Sequence, residues 1–303
     1  MKRSLITLVA LAAMTAAANA QPRNYRHVTG PFRSEIRLTA AHFDNFYQAP
    51  DRDLAETMNN AGFEYRAAYR PTGTRTDYYG HANYTWWNGR DLVAAYGGRL
   101  GIARESDLQD FNVFIQRNEN RPSFEVGNTY ARADTTVLYG EYSYRVHPDW
   151  ELGGEATLEK QTYEADKRRN NDFAGAGVSV RYRGFGDLIS PKVGFLKGTR
   201  DVERTEENYD SDDYYIELVT EAIPKTWASL GYHSQGRNYS VNDQASENFN
   251  REESGPEVTL TVSYRSRPRV NWTMYYSRNV NSSNVAGNDF TTNFILFGVS
   301  YGF

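Results

Sequence analysis

From Phe63 onward, apolar and polar residues alternate in one run after another. Phe63, Tyr65, Ala67 and Tyr69 hold one phase, while Glu64, Arg66 and Arg70 hold the other. The period returns in Tyr78 to Trp86, Leu138 to Val146, Trp150 to Leu158, Ala174 to Tyr182, Val258 to Tyr264 and Ile295 to Phe303. A period of two puts the apolar groups of a strand on one face. No 3.6-residue pattern of comparable length competes, so the predicted class is all-β.

Alternation alone fits a soluble sandwich as well as a barrel. Strand length and the asymmetry of the connections separate the two. Fourteen segments are predicted, at 33–43, 60–70, 75–87, 91–103, 107–118, 134–146, 149–163, 172–183, 187–199, 213–223, 226–237, 256–266, 270–279 and 290–303. They match or exceed the roughly 9–11 residues a tilted strand needs to cross hydrocarbon. A globular strand averages about 5–6.

Short connections fall at 71–73, 105–107, 147–149, 184–187, 224–226 and 267–269, and long polar ones at 44–59, 200–213, 238–254 and 279–289. The stretch 118–134 reads either as another strand or as an extended hairpin tip. Twelve or sixteen strands are therefore the alternatives to fourteen.

Composition sharpens this picture. A mean hydropathy of −0.72 would suit a very polar or disordered chain, yet there are 23 Tyr, 15 Phe and 5 Trp. A chain polar on average and rich in aromatics must sort the two kinds of residue finely. Residues 1–20 read as an export signal: Lys2 and Arg3, the apolar run from Leu5, then Ala18-Asn19-Ala20 before Gln21. Without Lys2 and Arg3, the 34 basic residues fall to 32 against 38 acidic ones. That balance argues against nucleic acid as a partner. The chain has no cysteine, hence neither a disulfide framework nor a thiolate metal site.

Taken together, these runs and turns resemble the bacterial outer-membrane β-barrels, most nearly the compact monomeric fourteen-stranded porins. The resemblance implies a transmembrane antiparallel up-and-down barrel over 32–303, preceded by a short periplasmic segment, 21–31. It implies residence in the outer membrane of a diderm bacterium, reached through the periplasm after signal cleavage. The partners it implies are outer-membrane lipids and lipopolysaccharide, periplasmic chaperones and the barrel-assembly machinery, with the barrel itself a monomer. The last strand should pair with the first, and Ile295, Phe297, Val299, Tyr301 and Phe303 look like the signal that the assembly machinery reads. Aromatic girdles are expected at both rims: Tyr69, Tyr78, Trp150, Tyr182, Trp227, Tyr264, Trp272 and Tyr301 beside the short turns, and Phe43, Trp86, Tyr232 and Tyr276 beside the long loops.

Function has to be sought among the inward side chains. The candidate lumen set is Glu64, Arg66, Asp77, His81, Arg99, Glu141, Arg145, Glu151, Glu155, Glu159, Arg181, Glu217, Glu221, Glu257 and Arg265, with Arg70, Asp110 and Lys192 in the same phase. Fourteen strands enclose more space than the eight that side chains can just fill. Charges of both signs on such a wall point to a passive channel for small hydrophilic solutes, needing no cofactor or metal. The same charges could instead form a plug of ion pairs. Glu151, Glu155 and Glu159 share one face of one strand and could form a cation-favouring ladder or pair with Arg181. The acidic stretch 206–213 reads as a solvated loop, lacking the spacing of a calcium loop.

Two other classes compete. An accessory barrel for polysaccharide export or surface-protein assembly would often carry a periplasmic domain, for which 21–31 leaves no room. A hydrolase needs a base with an orienting group. His233 with Ser229 or Ser234 is the candidate dyad, without an evident acidic partner in the sequence, and no catalytic residue is assigned.

Overall fold

The computed structural model describes residues 31–44, 57–88, 92–126, 129–186, 188–241, 246, 248–285 and 288–303. The expected signal peptide and 21–30 lie outside the described residues. The strands, in chain order, are β1 (Phe32–Asp44), β2 (Met58–Tyr69), β3 (Thr76–Asn88), β4 (Leu92–Glu105), β5 (Gln109–Val126), β6 (Thr129–His147) and β7 (Trp150–Tyr163). They continue with β8 (Asn171–Tyr182), β9 (Ser190–Val202), β10 (Tyr209–Thr220), β11 (Thr226–Tyr239), β12 (Glu252–Arg267), β13 (Val270–Ser283) and β14 (Phe290–Gly302).

Each strand pairs antiparallel with its sequence neighbours, and β1 pairs with β14, so the sheet closes into a fourteen-stranded barrel. At the seam Ile36 faces Tyr301, Leu38 faces Val299, Ala40 faces Phe297 and His42 faces Ile295. Below them the Phe303 amide donates to the Ser34 carbonyl at 2.8 Å. Closure leaves no unpaired edge in lipid, which is what a transmembrane sheet requires.

The outward phase is apolar and exposed from strand to strand: Leu38, Phe63, Leu100, Ile115, Leu138, Leu158, Val178, Ile216, Leu230 and Phe297. Exposed apolar surface on this scale marks a face that meets lipid. Tyr69, Tyr78, Trp150, Tyr264, Trp272 and Tyr301 are exposed near the short turns, and Trp86 and Tyr232 nearer the long loops. Two expected girdle residues face inward instead. Phe43 is 3% exposed and packs against Trp87 and Phe294, because it shares the phase of Arg33 and Arg37. Trp227 lines the lumen, in phase with Ser229 and His233.

The strands also outrun their hydrophobic pattern. The expected loop 200–213 shrinks to a 3-10 turn at Thr205–Glu207 between the end of β9 and the start of β10. β11 and β12 likewise consume the ends of 238–254, and β13 runs to Ser283. In these extensions the inward face is filled by buried polar side chains such as Arg200, Arg237 and Glu253, so apolar alternation fades while the ladder hydrogen bonds continue. The ambiguous stretch 118–134 is a hairpin tip: β5 and β6 pair up to Val126 and Thr129. Its register shifts between Asn118 and Arg121, where Asn120 has a φ of 60°, a left-handed conformation that asparagine tolerates better than most residues.

A charged vestibule in the barrel lumen

The lumen divides into two halves of different character. Toward the short turns lies a cavity of about 750 Å³, lined from Arg104, Gly186 and Glu221 at the mouth up to Tyr139, His233 and Tyr275 at mid-height. A second space of about 610 Å³ lies at the same mouth and shares Glu105, Asp110 and Arg183 with it. Toward the long loops the inward side chains are buried. Met58, Val93, Ala133, Phe294 and Tyr275 belong to one apolar cluster there.

Ion pairs reinforce the long-loop half. Glu253, its side chain 1% exposed, receives Arg237 at 3.4 Å and also pairs with Arg251, while the Tyr239 hydroxyl donates to it at 3.3 Å. The Arg251 guanidinium lies 4.6 Å over the Tyr239 ring. Two strands away, beyond Tyr209, Arg200 pairs with Glu159 at 3.0 Å and donates to Asn171. Charges this deeply buried persist only when paired and hydrogen-bonded.

The vestibule wall holds a second network. Tyr79 donates to Asn112 at 2.6 Å, and Asn112 to Glu141 at 3.5 Å. The Tyr139 hydroxyl lies 3.0 Å from Glu141 and 3.2 Å from Glu155, and Tyr215 donates to the other oxygen of Glu155 at 3.1 Å. Glu141 and Glu155 stand directly opposite each other across β6 and β7. Like charges so placed repel, and one phenolic hydrogen serves both.

Two inward glycines create this arrangement. A methyl group on Gly194 would meet the Tyr215 ring at 2.3 Å, and one on Gly101 the Tyr79 ring at 2.4 Å. Each ring therefore lies flat on the wall, in the space a side chain would fill. The vestibule stays open because its largest side chains are folded against the sheet.

The structure places the remaining candidates as follows. Glu64 receives Arg66 at 2.5 Å and has His81 at 3.5 Å. Asp77 pairs with Arg33 and accepts from Arg70 Nε at 2.9 Å. Arg99 donates to Gln116 and lies 3.9 Å over the Phe114 ring. Glu257 faces His233 across β12 and β11. Arg265 is at the short-turn end, opposite Asn271. Arg145 lines the mouth and Glu221 the rim of the vestibule.

Of the three glutamates of β7, Glu151 alone stands opposite Arg181. Glu151 is bound by Arg183, Glu155 by Tyr139 and Tyr215, and Glu159 by Arg200. Arg181 also lies 3.9 Å from Glu217. A strand's repeat fixes which residues face inward, whereas their partners depend on side-chain length and on neighbours around the ring.

His233 has the acidic neighbour that the sequence did not reveal: Asp213 at 3.6 Å, with the Tyr215 ring stacked at 5.4 Å. Ser229, however, donates to Glu217 at 2.9 Å. Sequence reading also passed over Tyr139, Tyr215, Arg200, Arg237 and Glu253. Their inward phase was readable, and their roles were hidden because each partner lies on another strand.

No family model and no curated protein matches the chain. Among solved structures it is similar to OmpT, an outer membrane protein of Vibrio cholerae, with 12% identity and a TM-score of 0.47 over 90% of this chain and 96% of that one. OccAB3 of Acinetobacter baumannii gives 8% identity and 0.47 over 90% and 99%. A BenF-like porin from Pseudomonas fluorescens Pf-5 gives 10% and 0.46 over 90% and 99%. The fold assignment rests on this chain's own closed ladder and apolar outer surface, and by these it has the architecture of the fourteen-stranded outer-membrane β-barrels.

Proposed function

We propose that the barrel is an outer-membrane channel for the passive passage of small hydrophilic solutes, with its vestibule on the periplasmic side and a constriction toward the outside. The observation that carries this reading is the 750 Å³ lumen cavity walled by charges of both signs. A wall of this kind keeps water and polar solutes in the path, and fourteen strands supply the width. The buried layer around Glu253 and Arg200 narrows the outer half, so conductance should be small. The reading gives the chain no catalytic step and no cofactor, and takes His233 as a wall residue, since Ser229, one of its two nominated nucleophiles, is engaged by Glu217. Export with cleavage before Gln21 and folding as a monomer belong to the same proposal.

The test is planar-bilayer recording of the refolded mature protein beside a variant with Arg237, Arg251 and Glu253 all replaced by Ser. Small conductance in the wild type and larger conductance in the variant are expected. Electrical silence of both, in protein shown to be folded by heat-modifiable gel migration, would overturn the proposal.

A further inference from the structure

One row of inward residues in the periplasmic half of the lumen carries more positive charge than the carboxylates within that row. Arg145 of β6 stands opposite Glu151 of β7, Glu151 opposite Arg181 of β8, Arg181 opposite Lys192 of β9, and Lys192 opposite Glu217 of β10. These five residues form one row across five neighbouring strands, all in the inward phase. Arg183, one inward position nearer the mouth, binds Glu151. Four cations thus share two carboxylates.

The distribution within the row is uneven. Glu151 is engaged by Arg183, and Glu217 accepts from Ser229 at 2.9 Å with Arg181 no nearer than 3.9 Å. The side chains of Arg145 and Lys192 make no hydrogen bond or ion pair to the described residues. Lys192 has only the Tyr215 ring, 5.2 Å away. The Nε atoms of Arg145 and Arg181 are buried without a hydrogen-bond partner. Arg181 and Lys192 are like charges directly opposite each other, a destabilising arrangement in an antiparallel pair. Of the carboxylates outside the row at this mouth, Asp110 accepts the Ser106 amide at 2.9 Å and Asp107 pairs with Arg75 at 3.1 Å, while Glu105 and Glu221 also line the cavity.

From this row we infer an oxyanion site in the periplasmic vestibule, formed by Arg145, Arg181, Arg183 and Lys192, whose excess of two positive charges suits a phosphate dianion. Successive strands stand roughly 4.8 Å apart, so Arg145 and Lys192 are rooted on the wall with Arg181 between them. Arg181, Arg183 and Lys192 line the larger cavity, and Arg145 lines the adjoining space at the mouth, which shares Arg183 with it. Guanidinium forks match phosphate oxygens two at a time, and the lysine adds a point charge. A bound dianion would relieve the repulsion between Arg181 and Lys192, which gives the site a reason to prefer the doubly charged form.

This inference rests on the reading of the vestibule as a solvent-filled compartment, and its test separates the two. The refolded full mature chain in detergent is titrated with inorganic phosphate by calorimetry, at a pH where phosphate is mainly dianionic. Saturable binding at one site is expected. Arg145→Gln and Lys192→Gln should each weaken it about tenfold, in line with the loss of one charge-assisted contact, and Lys192→Arg should restore most of it. Arg117→Gln, on the outer rim, should change nothing. Each variant is first shown to be folded by heat-modifiable migration. Binding that is equal in the wild type and the double variant Arg145→Gln with Lys192→Gln, or matched by chloride at equal ionic strength, overturns the site. Conductance without phosphate binding removes the site and leaves the channel. Binding without conductance keeps the site and removes the channel.

Discussion

Tyr215 on β10 reaches past β9 and β8 to donate to Glu155 on β7 at 3.1 Å, with its ring lying where a side chain of Gly194 would be. The contact ties together strands that share no ladder hydrogen bonds. Gly194→Ala should therefore lift the ring, break the bond to Glu155 and cost about 1–3 kcal/mol of overpacking strain. In a Tyr215→Ala background the same change should cost almost nothing. Urea titration of both variants in lipid vesicles, read as a double-mutant cycle, checks this, and additive effects would show that the ring does not depend on the glycine.

Leu38 lies halfway along β1, exposed, with Val299 and Phe63 as its neighbours on the adjoining strands. If that face meets acyl chains, Leu38→Arg should cost about 2–4 kcal/mol, the range for a cation near the bilayer midplane. The same replacement at Leu188, exposed in a short turn, should cost little. Folding free energies in short-chain phosphatidylcholine vesicles measure both.

Glu253 is the shared counter-charge of Arg237 and Arg251. Glu253→Ala should destabilise the barrel by about 3–5 kcal/mol, because it strands two buried guanidiniums. Replacing all three with Met and Leu should recover most of that loss. Thermal unfolding followed by gel migration would distinguish the two outcomes, and an unaffected Glu253→Ala would mean that the layer is hydrated.

Asp166, between β7 and β8, accepts from the Arg168 amide at 3.2 Å at the start of the 3-10 turn Lys167–Arg169. The hydrogen bond from the Arg168 side chain holds its carboxyl below the ordinary carboxylate range. A carboxyl lowered in this way stabilises above its unfolded value and loses the effect as pH falls through its folded value. The protection factor of the Arg168 amide, its exchange rate against the intrinsic rate at the same pH, should therefore fall on acidification through that window. Asp166→Asn should flatten the response.

Much of this architecture could be read from residue order, because lipid imposes a two-residue period on every crossing segment. Phe63 to Tyr69 and Ile295 to Phe303 announced their faces, and the pairing of β1 with β14 followed from the need to close the sheet. Legibility ended where the apolar pattern ends: Arg200 to Val202 and Tyr209 to Asp213 continue the ladder with polar groups such as Arg200 and Ser211 buried on the inward face, so no apolar phase marks them. Phe43 and Trp227 were misplaced because aromaticity was given more weight than phase. The vestibule was legible only as a list of charges. That Glu155 meets Tyr215, and that Arg145 and Lys192 flank one unbalanced row, depend on the curvature of the closed sheet.

The rings lying on Gly101 and Gly194 carry a further consequence. Where phenol groups hang free into a pore, its calibre flickers as they swing between rotamers. Here the rings are flush with the main chain, so the bore of the vestibule is set by the diameter of the β-cylinder itself. Its size exclusion should then stay sharp and nearly independent of temperature until the barrel unfolds.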